Sequence, residues 1–104
     1  NLDTHARAPS RAQCKAWLSS GHDEYWSWPM REHVERARDA GVHLAFFGAN
    51  AAYWQIRLEA ADRLMVCWKN AARDPLTAND PSRATDKWRS ATVNRPEEAL
   101  IGTM

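Results

Sequence analysis

The segment from Cys14 to Gly48 constrains this chain most: a short apolar run, an amphipathic run and a second apolar run follow one another, with glycines between them. Cys14 to Ser20 suits a buried strand, and Gly21 breaks it. Ser27 is a good helix N-cap, and Pro29 fits a first helical turn. Beyond it, Met30, Val34 and Ala37 fall at i, i+4 and i+7 among Arg31, Glu32, Glu35, Arg36, Arg38 and Asp39. That spacing gives a helix of about three turns with one apolar stripe. Val34 and Ala37 should face the sheet, and Glu32, Glu35, Arg36 and Asp39 the solvent. Gly41 is the natural stop. His43 to Phe47 is again short and apolar, closed by Gly48. Strand, helix, strand predicts a βαβ unit with adjacent parallel strands. The fold class is α/β, a parallel sheet flanked by helices.

The remainder is less periodic. Residues 1–12 read as irregular, and Asn50 to Glu59 as a helix. Leu64 to Trp68 reads as a further strand. Residues 70–96 carry Pro75, Pro81 and Pro96 among polar residues and read as a long loop within a single 1–104 domain. The apolar Leu100 to Met104 reads as the start of a strand. With no initiator Met, this points to a piece of a larger protein, with part of any active site elsewhere. Fourteen Lys and Arg against 13 Asp and Glu leave a net charge of +1. Nothing in that balance drives binding to nucleic acid or to a membrane surface. No apolar run is long enough to span a bilayer, and no signal segment opens the chain. Cys14 and Cys67 are too few for a disulfide framework. Both lie in apolar stretches and read as buried reduced thiols, which suits a cytoplasmic protein.

Chemistry concentrates in an echo. Gly21-His22-Asp23-Glu24-Tyr25-Trp26 follows the first strand, and Gly48-Ala49-Asn50-Ala51-Ala52-Tyr53-Trp54 the second. Tyr25 and Tyr53 are the only tyrosines. Adjacent parallel strands lie about 4.8 Å apart and send both following loops to one sheet edge. Two phenol oxygens converging there would suit a hard cation such as ferric iron; equally, both rings would pack with their hydroxyls hydrogen-bonded. Within His22-Asp23-Glu24, Glu24 or Asp23 is a candidate general base with His22 as its partner. The competing reading is a polar loop that bonds its own backbone. His33 and His43 read as boundary residues, and His5 carries no signal. Arg57, Arg63, Arg83, Arg89 and Arg95 interleave with Trp54, Trp68 and Trp88, which reads as Arg–Trp stacking within the fold. No phosphate-binding glycine loop, serine elbow or paired C-x-x-C occurs.

The Gly21 to Ser27 run, the stretch Leu44 to Trp54, Arg57-Leu58-Glu59, Val66-Cys67-Trp68-Lys69, Trp88-Arg89 and Asn94-Arg95-Pro96-Glu97 resemble the C-terminal domain of the N,N-dimethylformamidase large (β) subunit and its relatives. The resemblance covers most of the chain from residue 13. It implies a flavodoxin-like fold of the class I glutamine amidotransferase type. It also implies hydrolysis of a small N-substituted amide at a mononuclear ferric iron held by two Tyr and one Glu. Tyr25 and Tyr53 occupy the positions of the two metal-ligand tyrosines. The matching Glu is expected beyond Met104, with Glu59, Glu97 and Glu98 as alternatives. The characterised amidases carry a variant of the His-Asp-Glu-Tyr-Trp loop, so the resemblance implies the fold more directly than the activity. Glu24, with His22 and Asp23, would serve catalysis. A small partner subunit or a homo-oligomer is expected. The alternative is a non-catalytic α/β interaction or scaffold domain on the same framework.

Overall fold

A computed structural model describes residues 2–102. Two stretches of chain run side by side and pair twice. β1 (Ala16–Ser20) pairs in parallel with β3 (His43–Phe47), Ala16 opposite His43. Further along the same stretches, β2 (Tyr25–Ser27) pairs in parallel with β4 (Trp54–Glu59), Tyr25 opposite Trp54. β5 (Leu64–Val66) joins β4 antiparallel, so the sheets are β1-β3 and β2-β4-β5. Between the two pairs the backbones converge. A Cβ on Gly48 would lie 2.0 Å from the Gly21 carbonyl oxygen, so this crossing needs a residue without a side chain.

The expected strand–helix–strand unit is present, with β1 and β3 adjacent and parallel and the helix α2 (Trp28–Asp39) between them in the chain, but neither strand is buried as expected: β1 exposes Leu18 and β3 exposes Phe47. Ser27 caps α2 by accepting from the Met30 amide. Val34 and Ala37 are fully buried, and Glu32, Arg36 and Asp39 are exposed, as the apolar stripe requires. Val34→Asp should lower stability by about 2–4 kcal/mol, since a carboxylate would replace a buried branched side chain. A denaturation midpoint unmoved by that change would contradict the packing of α2.

Several expectations are corrected. Asn50 to Glu59 is not a helix: residues 49–52 turn, and β4 follows. Gln55 and Arg57 are buried on one side of β4 while Ile56 is buried on the other, so the strand is covered on both faces and shows no simple alternation. The start of the chain is not wholly irregular, because Leu2–Ala6 forms the short helix α1. His33 ties α1 down through Nδ1 to the Thr4 carbonyl at 2.7 Å. Glu98–Ile101 is helical (α3) rather than the start of a strand, and Thr103 and Met104 lie outside the described residues. Cys14 and Cys67 are half-buried free thiols rather than core residues, and burial pushes the Cys67 thiol up.

The core gathers Trp26, Met30, Val34, Ala52, Trp88, Val93 and Leu100. Residues 70–96 supply much of it. They carry two 3-10 turns and a bridge from Lys87 to Trp54, and they bury Ala71, Ala84 and Trp88. Two arginines are interior. Arg31, 1% exposed, donates to the Arg95 and Pro96 carbonyls and to Glu35, and lies over the Trp88 ring. Arg57 donates to Asp74 at 2.5 Å, to Glu59 at 3.2 Å and to the Arg83 carbonyl at 2.6 Å. The expected Arg–Trp stacking is present for Arg95, which lies over Trp28 and Trp88. Among the described residues, no helix is long and apolar enough to cross a membrane.

Candidate functional site

Both Tyr-Trp loops leave the carboxyl ends of β1 and β3 and are stitched together at once. The Ala52 amide donates to the Asp23 carbonyl, and the Tyr53 and Trp54 amides donate to the Glu24 carbonyl. Tyr25 stands opposite Trp54 in the β2-β4 register, and Tyr53 is the residue immediately before β4. The Tyr53 and Trp54 rings meet edge-on, with centroids 5.0 Å apart.

Cations surround this aromatic group. Lys69 donates to the Tyr25 hydroxyl at 2.9 Å, and that bond raises the ammonium pKa. Its Nζ lies 5.2 Å from the Tyr25 ring centre and 5.1 Å from that of Trp54. Lys87 lies 5.5 Å from the Tyr53 ring centre, and the Arg89 guanidinium 4.9 Å. Asn50, Ala52 and Lys69 all hold positive φ, at 55°, 52° and 57°. Left-handed backbone in non-glycine residues is strained, and such residues cluster where structure serves a site. Of these cations only Arg89 stood out in the sequence, and for stacking on tryptophan rather than for this site, because each reaches the rings from residues 69–89, far along the chain.

The three acidic-loop candidates part company. His22 Nε2 lies 2.9 Å from Glu24 Oε1, and the Asn50 amide donates to the same oxygen at 3.3 Å. Asp23 instead accepts from the Ser19 hydroxyl at 2.6 Å, while its carbonyl takes the Trp26 indole N–H. Glu24 therefore pairs with His22, and Asp23 braces the loop. Of the alternative carboxylates, Glu97 is linked to Tyr53 through Arg89, which it accepts from at 3.0 Å. Glu59 pairs with Arg57, and Glu98 is exposed at the start of α3.

The family comparison bears on this arrangement. The profile described as N,N-dimethylformamidase beta subunit-like, C-terminal, matches residues 1–104. The chain belongs to that family. No curated protein and no solved structure matches it. At the level of the family, the chemistry indicated is that of an amidase-type hydrolase. In kind, two phenol oxygens suit a hard ferric ion. Two donors alone do not complete a site, and separately, among the described residues, no cluster of three or more His, Cys, Asp and Glu is placed to hold a metal.

Proposed function

We propose that the chain forms the two-tyrosine side of a metal-dependent amidase centre acting on a small N-substituted amide. One observation supports this: Tyr25, paired with Trp54, and Tyr53, the residue just before β4, flank one strand joint beside the Glu24–His22 pair at 2.9 Å. Tyr25 and Tyr53 would hold a ferric ion, with the third donor lying outside the described residues. The ion's contribution is Lewis-acid polarisation of the amide carbonyl. Glu24 is the general base for water, and the His22 and Asn50 contacts fix its Oε1. Lys69 orients the Tyr25 phenol through its hydrogen bond. The adjoining pair of parallel strand pairs with α2 between them supports a flavodoxin-like framework of the amidotransferase type.

A second reading, a non-catalytic interaction domain, is favoured by the outer face of β1-β3. Leu18 and Phe47 are exposed there, Phe47 at 68%. Full-length protein separates the two. The amidase reading expects stoichiometric iron and a visible phenolate-to-iron absorption band, both lost in Tyr53→Phe with the fold kept. Colourless, metal-free protein, or iron retained in Tyr53→Phe, would defeat it.

A further inference from the structure

A separate constellation lies at the other end of β2. There the chain passes from strand to helix at Ser27. The Ser27 Oγ is 2.6 Å from His5 Nδ1, and His5 Nε2 is 3.6 Å from Asp62 Oδ1. We infer that Ser27, His5 and Asp62 form a second, serine-nucleophile site that cleaves small acyl esters.

The hydrogen-bond directions agree with that reading. The Met30 amide already donates to Ser27 Oγ at 3.3 Å. The hydroxyl hydrogen can then point at His5 Nδ1, which accepts in the tautomer protonated on Nε2. A neutral imidazole accepting on Nδ1 carries its proton on Nε2, the atom that faces Asp62. Serine, base and orienting carboxylate thus hold the roles of a triad, with the ring turned end for end; roles define such a site, not atom names. The Asp62 contact is at ion-pair rather than hydrogen-bond distance, as catalytic contacts often are before substrate arrives. Asp62 is brought there by a turn in which Ala60, Ala61 and Asp62 hold φ of 51°, 54° and 63° in succession. Three consecutive left-handed non-glycine residues are costly, and they aim Asp62 at His5.

Ser27 is closed off from bulk solvent but forms part of the wall of a cavity of about 300 Å³. Trp28, Ile56 and Leu58 give that cavity apolar wall, and Arg57 and Arg83 also line it. The Gln55 Oε1, buried and unpartnered, belongs to a lining residue and is an acceptor available to a ligand. The cavity opens at the N-terminal end of α2, where the helix dipole favours a developing oxyanion.

The chemistry balances without a co-reactant other than water. Ser27 Oγ attacks the acyl carbon as its proton passes to His5 Nδ1. The tetrahedral intermediate collapses, the ester C–O bond breaks, and the imidazolium proton leaves with the alcohol. Water then gives a proton to His5 Nδ1 and attacks the acyl-serine, releasing the carboxylic acid and restoring Ser27. His5 is the one group on the lining that can both take and return the proton, because the other ionisable groups there are arginines, which keep their protons. An alkoxide can leave with that single proton, which is why esters are the substrate class.

The test uses the full-length protein with an alkyl fluorophosphonate, followed by peptide mass spectrometry, and p-nitrophenyl acetate as substrate. The expected result is one adduct, on Ser27, and ester turnover. Ser27→Asn keeps a capping side chain and should lose both. His5→Gln should slow labelling at least ~100-fold. Asp62→Asn should slow it less, at an unchanged half-saturating probe concentration, as befits a positioning residue. Natively folded wild-type protein, by circular dichroism, that forms no Ser27 adduct would overturn the site. So would a folded His5→Gln variant that labels at the wild-type rate.

Discussion

Arg31→Ala is expected to lower unfolding free energy by about 3–5 kcal/mol, more than any surface change on α2. Burial lowers the guanidinium pKa, and Glu35 only partly offsets that. Removing it strips the donors from the Arg95 and Pro96 carbonyls and from Glu35, and opens space over Trp88. It also leaves Arg95, bound to Glu35 at 2.6 Å, without its neighbour. The urea midpoint measures the effect. A loss below about 1 kcal/mol, the range of exposed ion pairs, would mean that Arg31 is not the bolt joining α2 to the end of the chain.

Asp74→Ala should cost a similar amount, about 3–5 kcal/mol, because it leaves the buried Arg57 without its closest partner. The wild type should reveal the same pair by acid titration. Burial alone would push the Asp74 carboxyl up. The bonds from Arg57, from the Thr85 hydroxyl and amide, and from the Leu76 amide outweigh that and hold it down at about 2. An unfolded chain would titrate it near ~3.9. The folded carboxyl binds protons less readily, so its stabilisation is complete above about pH 4 and disappears as pH falls toward about 2. The contribution lost is about 2–3 kcal/mol. Stability that is flat across that window in the wild type, or that still falls equally steeply in Asp74→Ala, would contradict this account.

The strand–helix–strand unit was legible because local signals agreed: Ser27 and Pro29 start α2, Gly41 follows its end, and Val34 and Ala37 mark its buried face. β2 and β4 were not legible, because neither alternates. Trp26 and Ser27 are both buried, and Gln55, Ile56 and Arg57 are buried in succession. Arg31 reads as one charge among many on a helix, and only contact with residues 95 and 96 makes it interior. The tyrosine echo could be read as one edge because parallel strands fix where loops emerge. The partners of that edge, Lys69, Lys87 and Arg89, depend on how residues 69–96 fold back, and no short-range pattern encodes that. His5 offered no signal at all, since its neighbours in space are Ser27 and Asp62.

The tandem pairing has a consequence for length variation among relatives. Ala16 faces His43, but Tyr25 faces Trp54, so the second stretch gains two residues between the pairs. Two is an even number. Side chains on a strand alternate faces with a period of two, so this excess leaves the inside and outside of β4 unchanged. An odd insertion or deletion between Gly48 and Tyr53 would have to be absorbed by the turn or would invert β4, carrying Gln55 and Arg57 out of the interior. Gaps of parity two are therefore the ones this joint can accept, whatever residues fill it.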